Sequence, residues 1–361
     1  MNIGTVQQYK SDVAFKTLVE GINDNLYFIP KYQRKFRWTQ EQVQRLARSL
    51  VKGYPIPPIY AYRNGDGQLE ILDGQQRLMS LYFYYIGKFI HPKEASAIDY
   101  RRLEVANKKY QEVLEENFNL IEMVTYLDEE EKQDISYQKL PVEWKRRVDY
   151  TTITVIELRW DNLENRPVDL QNIFSNLNAE GTLLSAQELR NGIYDCPFYD
   201  MLRDMNSENG NWRKIVGRES NTEDDMEFLL RLCTVQKNVE YTDGIFVIKN
   251  YHSRYSEWLD EFSEGAMKME NQEVEYYKNI LEDFLGRFQL KKVLGLQKAL
   301  IESLFVVIEK AFLDVTITQD MIDKILSSDS YQDNTQQGTV QKGKMNERWK
   351  GVYEILSQYV K

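Results

Sequence analysis

Apolar positions in the first ninety residues change period several times, and that alternation predicts a mixed α/β region. Leu26–Ile29 is a short apolar run stopped by Pro30 and reads as a strand. Thr39 and Gln42 have the spacing of a capping box. Behind them Val43, Leu46, Ala47, Leu50 and Val51 recur on one helical face, and Gly53 with Pro55 ends the run. Ile59–Tyr62 and Leu69–Leu72 predict two strands joined by the turn Asn64-Gly65-Asp66-Gly67. A second helix follows at once, with Leu78, Leu81, Tyr82, Tyr85 and Ile86 on one face.

Residues 94–148 are charged and predicted to be a helical insertion. Thr151–Leu158 (TTITVIEL) is rich in β-branched residues and reads as a strand. A helix around Val168–Leu177, a turn at Asn178–Gly181 and a helix capped by Ser185 and Glu188 come next. From about Asp200 the periodicity is helical with little strand signal, clearest at Met226–Cys233, Glu273–Leu285, Leu296–Phe312 and Asn346–Tyr359. Ser327–Gly343 is polar and predicted to be a mobile loop. The expected fold is therefore α+β: a mixed α/β domain over 1–195 and a mostly helical region over 196–361.

Composition narrows the function classes. With 361 residues, 42% hydrophobic and 28% charged, the chain is neither disordered nor collagenous. The most apolar stretches, Leu81–Ile90 and Leu304–Leu313, are interrupted by Lys88 and by Glu309 and Lys310, far short of the ~20 residues of a membrane span. The opening MNIGTVQQYKSDVAFK lacks the apolar core of a signal peptide, and Cys196 and Cys233 form no CxxC, so a cytoplasmic setting with reduced thiols is expected. His91 and His252 are the only histidines, too few for a zinc finger or an HNH-type centre. Residues 1–95 hold thirteen Lys/Arg against eight Asp/Glu, a net of +5, whereas the remainder sums to −15. An acidic chain is a poor sequence-blind DNA binder, but its basic first quarter could still contact one polyanion.

Two segments carry candidate chemistry. In Leu69–Arg77 (LEILDGQQR) a strand enters a helix through Asp73-Gly74, followed by Gln75, Gln76 and Arg77. A helix N-terminus has unpaired N–H groups and partial positive charge, glycine permits close approach, and arginine offers a planar fork to phosphate. Taken alone, the same residues fit better a plain capped helix, with Asp73 as the N-cap and Arg77 paired with a surface carboxylate. The second segment, Ile29–Trp38 (IPKYQRKFRW), sets Lys31, Arg34, Lys35 and Arg37 among Tyr32, Phe36 and Trp38. Aromatic rings can stack on a base while the cations meet phosphates, although Phe36 and Trp38 have the bulk of core residues.

Taken in order, IPKYQRKFRW, the Pro57-Pro58-Ile59 stretch, DGQQR, and FSNLNAEGTLLSAQELRNG (Phe174–Gly192) resemble the N-terminal domain of GmrSD-type restriction endonucleases, which groups with ParB/sulfiredoxin-like proteins. The resemblance spans about 165 residues. It implies nucleotide binding and hydrolysis at DGQQR, with contacts from Tyr32, Gln33, Arg34, Asp73, Gly74, Gln75, Gln76, Arg77 and Asn178. Asp73, Gln76, Arg77 and Arg34 would take part in hydrolysis, and Gly181 and Asn191 would complete the pocket wall. A nucleoside triphosphate is then the expected ligand, with Mg²⁺ bridging its phosphates and Asp73 as the candidate metal ligand. Many relatives add an HNH-like nuclease domain, which two histidines cannot build, so a separate protein carrying the nuclease is the expected partner. The leading reading is an NTPase component of a restriction or anti-phage system. One alternative is a non-catalytic DNA-binding or sensing module. Another, a stand-alone nuclease, lacks a (D/E)xK motif, since Glu157-Leu158-Arg159 has no lysine.

Overall fold

The computed structural model describes residues 6–29, 36–64, 66–91, 108–128, 130, 132–160, 169, 173, 185–217, 222–252, 254–289, 295–336 and 338–360. The chain divides into two compact units, Met1–Leu184 and Ser185–Lys361.

In the first unit the described elements are β1 (Val6–Ala14), α1 (Phe15–Asn23), β2 (Tyr27–Phe28), α2 (Gln40–Lys52), β3 (Ile59–Arg63), β4 (Leu69–Asp73), α3 (Gln75–Ile86), β5 (Lys88–Ile90), α4 (Tyr110–Asn117), β6 (Leu120–Glu122), α5 (Val142–Asp149) and β7 (Thr152–Trp160). Five strands form one mixed sheet in the order β1-β7-β3-β4-β2. β3 is parallel to β7 and antiparallel to β4, and β2 is parallel to β4. Inward positions Ile59, Ala61, Ile71, Ile153 and Val155 join Phe15, Leu18, Val43, Leu50, Leu78 and Tyr82 from α1, α2 and α3 in one buried core. Both ends of α2 follow local sequence: the Thr39–Gln42 capping box is formed, and Gly53 closes the helix at φ 74°.

Two departures from the sequence pattern have physical causes. β1 pairs with β7 over nine residues although Gln7–Asp12 are exposed, so its polar edge shows no apolar alternation. The 94–148 insertion is not wholly helical: β6 pairs with β5, and three residues are too few to set a period. The expected helix near 168–177 and turn at 178–181 lie outside the described residues.

The second unit contains α6 (Ala186–Ile193), α7 (Pro197–Glu208), α8 (Gly210–Val216), α9 (Glu223–Asn238), the hairpin β8 (Val239–Thr242) and β9 (Ile245–Ile248), then α10 (Tyr255–Ala266), α11 (Asn271–Gly286), α12 (Lys298–Lys310), α13 (Gln319–Ser327), α14 (Asp329–Gln332) and α15 (Lys342–Leu356). It is mostly helical, as expected. The hairpin turns through Asp243 and Gly244, both at positive φ, a two-residue signal that helical neighbours mask in the sequence. The stretch expected to be a loop at 327–343 instead includes α14 and is held by Arg348, whose guanidinium donates to the carbonyls of Asn334 (3.3 Å) and Thr339 (2.9 Å). Arg348 is fully buried, and it also pairs with the fully buried Glu302 at 2.7 Å. Arg231 meets the other oxygen of Glu302 at 2.6 Å, completing an Arg–Glu–Arg cluster.

Candidate functional site

The DGQQR segment lies where β4 ends and α3 begins. β4 is buried along Leu69–Leu72, so the chain leaves the sheet only at Asp73. The turn into α3 is made by Gly74 at φ 92°, a left-handed conformation that glycine alone adopts without strain. A Cβ at this position would stand 3.0 Å from Ile59 Cγ1 and 3.2 Å from Ile59 Cα. Gly74, not Asp73, is the N-cap, so the N-cap residue has no side chain of its own to cap the helix. The capping role considered for Asp73 is therefore not what the structure contains.

Asp73 instead turns to Arg77: Oδ2 and Nη2 are 2.5 Å apart, an i,i+4 pair with side chains 31% and 16% exposed. The surface carboxylate that could engage Arg77 is thus a member of the same motif. Gln75 and Gln76 are buried, at 4% and 7% exposure. Gln76 reaches back along the chain, and its Oε1 accepts from the backbone N–H groups of Arg37 (2.8 Å) and Trp38 (3.2 Å). Ser80 Oγ donates to the Gln76 carbonyl at 2.6 Å, which tightens this turn from inside.

Around that anchor, Phe36 is 2% exposed and meets Phe83 edge-on at 5.3 Å, while Trp38 is half-buried against the same core. Both aromatics are structural, as their bulk suggests. Tyr32, Gln33, Arg34, Asn178 and Gly181 lie outside the described residues. Asn191 falls in the second unit, where its amide donates to Glu223 and its oxygen accepts from Gln187 at 2.9 Å. Its neighbour Arg190, 2% exposed, is paired to Glu227 (2.8 Å) and Asp260 (2.7 Å). In that unit the polar residues of the AQELRNG stretch bind one another and neighbouring helices.

Elsewhere in the described residues the acidic groups offer no metal or nuclease centre. Glu157 is gripped by Arg63 through two contacts, 3.0 and 2.8 Å, and by Arg159 Nε at 2.6 Å. The hydrogen bond from Arg63 holds its carboxyl below the usual range. A carboxylate so occupied is a poor metal ligand. Among the described residues no three His, Cys, Asp or Glu side chains converge closely enough to hold an ion. A groove of about 740 Å³ between α7 and α11 is lined by Asp200, Asp204, Glu208, Glu275 and Glu282 with Lys278, a sign that repels phosphate. No described helix is long and apolar enough to cross a membrane.

Comparison with known families matches residues 15–194 to the GmrSD restriction endonuclease, N-terminal domain. No curated protein matches the chain.

Proposed function

Residues 15–194 belong to the GmrSD restriction endonuclease N-terminal domain family, which makes the chain a component of a restriction or anti-phage system, and from that premise we propose that it binds and hydrolyses a nucleoside triphosphate at Asp73–Arg77. The observation that carries the reading is the glycine-led start of α3, with Arg77 in its first turn. A buried strand delivers the chain through a positive-φ glycine to a helix whose N-cap residue has no side chain and whose first turn includes an arginine. Backbone N–H groups and the helix dipole favour an anion at such a point. Ile59 crowds the place a Cβ would take at Gly74, so a glycine backbone lies close against β3 at this turn.

Arg77 would exchange Asp73 for a phosphate oxygen, trading one carboxylate charge for a polyphosphate. The donor set suits phosphate better than it suits a metal. Mg²⁺ would come with the triphosphate, held mainly by phosphate oxygens and water, and Asp73 could join it only after releasing Arg77. The family works with a nuclease domain. In this reading the nucleotide state of the first unit gates such an effector on a separate protein.

Calorimetric titration with ATP, GTP, CTP and UTP, with and without Mg²⁺, and phosphate release from whichever binds, test the proposal. Arg77→Ala removes a charge-assisted hydrogen bond of about 1.5–3 kcal/mol, so affinity should fall about ten- to a hundredfold. Unchanged affinity in a folded variant would refute the loop assignment. Failure of every nucleotide to bind, with duplex DNA binding that weakens steeply with salt, would favour the DNA-sensing alternative.

A further inference from the structure

We propose that the outer edge of β1 is a self-association surface, on which two copies of this chain pair β1 with β1, antiparallel, about a two-fold axis at Ser11. The inference is independent of the nucleotide reading above. β1 stands at one end of the sheet and, among the described residues, pairs only with β7. Sheet edges are ordinarily blunted by short strands, proline or bulges. β1 has none of these. It runs nine residues in unbroken register with neither Pro nor Gly, against an ordinary strand length of about five or six. Gln7–Asp12 are exposed on both faces of the strand.

Hydrogen-bond phase and charge together select the register. The Phe15 N–H donates to the Thr151 carbonyl at 2.8 Å, so 15 and 151 form a hydrogen-bonded pair. Alternation along the ladder then turns the main chain of Val13, Ser11, Tyr9 and Gln7 toward β7, and that of Asp12, Lys10 and Gln8 outward. A second copy must meet these three with its own outward-turned residues, which restricts the two-fold axis to a whole residue. An axis at Lys10 sets that lysine against its own copy, and an axis at Asp12 does the same with the carboxylate. Only at Ser11 does Lys10 face the second copy's Asp12, and Asp12 the second copy's Lys10. Thr154 Oγ1 donates to Asp12 Oδ1 at 2.7 Å and holds the carboxylate on the face that Lys10 shares. On the opposite face Tyr9, 43% exposed, meets the second copy's half-buried Val13, an aromatic ring against a β-branched side chain.

Sedimentation velocity on the full chain over a range of concentrations should show reversible monomer–dimer exchange. Lys10→Asp makes the edge acidic at both positions and Asp12→Lys makes it basic, so either should weaken dimerisation about tenfold or more. Both positions are exposed, so urea midpoints should stay near the wild-type value. Mixing the two variants should restore a dimer, because each edge then faces its opposite, and so should one chain carrying both substitutions. Ser11→Cys, on the axis, should form an intermolecular disulfide on oxidation, whereas Tyr9→Cys, opposite Val13, should not. The native Cys196 and Cys233 are buried and leave that readout clean. A chain that stays monomeric at every concentration overturns the proposal. A dimer that both charge variants leave intact also overturns it, by placing the interface elsewhere. Failure to restore a dimer on mixing refutes the register at Ser11.

Discussion

Gly74→Ala tests the geometry on which the loop depends, and its cost can be worked from two terms. Alanine at φ 92° pays the left-handed penalty of about 1–2 kcal/mol. Its Cβ also meets Ile59 at 3.0 Å (Cγ1) and 3.2 Å (Cα), and the second atom is main chain of a central strand that cannot turn aside. Overpacking of that kind adds about 1–3 kcal/mol. The expected loss is therefore about 2–5 kcal/mol. Gly67→Ala provides the control: at φ 83° it carries the same backbone penalty, but nothing lies within 4 Å of its Cβ, so about 1–2 kcal/mol is expected. Urea unfolding of the full chain measures both variants against the same background, as both glycines lie in the first unit. Equal losses for Gly74→Ala and Gly67→Ala would refute close approach of Ile59. A Gly74→Ala variant that stays folded should also bind nucleotide more weakly, because relieving the contact must shift the β4–α3 turn.

Glu302→Ala should cost about 3–5 kcal/mol in urea unfolding, since it leaves Arg231 and Arg348 facing each other without their carboxylate; a loss under 1 kcal/mol would refute the buried cluster. Burial, with Asp283 nearby, pushes the Glu309 carboxyl up from 4.5 to about 7, so the folded state favours the neutral acid. Its contribution is fully present below pH 4.5 and is lost as pH rises through about 7; Glu309→Gln should therefore gain stability over wild type at pH 8 and none at pH 4, and parallel pH profiles would refute it. The chain alone, with or without Mg²⁺, should not nick duplex DNA; nicking that survives purification and vanishes with Asp73→Ala would promote the nuclease alternative.

Legibility in the sequence followed the range of the forces involved. Elements set by neighbouring residues were readable: the Thr39 and Ser185 capping boxes both form, and Met226–Cys233 and Glu273–Leu285 fall inside α9 and α11. What escaped depends on distant partners. β1 is a strand because β7 offers it an edge, not because Gln7–Asp12 prefer one. The 327–343 segment is ordered by a buried arginine, Arg348, which follows it in sequence. Within the site, the Asp73-Gly74 turn and the arginine were visible as a local motif. Gln76's attachment to Arg37 and Trp38 was not, because no periodicity links residues 39 and 38 apart. The Asp-Gly of the β8–β9 hairpin was a signal available to be read, hidden only by the helices on either side.

If the proposed function holds, the pairing of Asp73 with Arg77 bears on how such a loop would wait without its ligand. An arginine beside a helix N-terminus adds positive charge to positive charge, and that repulsion would favour a turn of another shape. Asp73 offsets it from within the same turn, at 2.5 Å and with both side chains still partly exposed. Partial exposure keeps the pair weak, on the order of 1 kcal/mol or less, because water screens it and competes for it. A triphosphate brings several charges and many acceptor oxygens to the same place, so it can displace the carboxylate where a chloride or a monoanion would gain little. Under the proposed function, selectivity for polyphosphate would then follow from a weak internal counterion rather than from a tight one. Under the proposed function the same exchange would free Asp73 for a magnesium ion brought by the phosphates, so one ion pair would keep both groups silent until the ligand supplies a replacement for each.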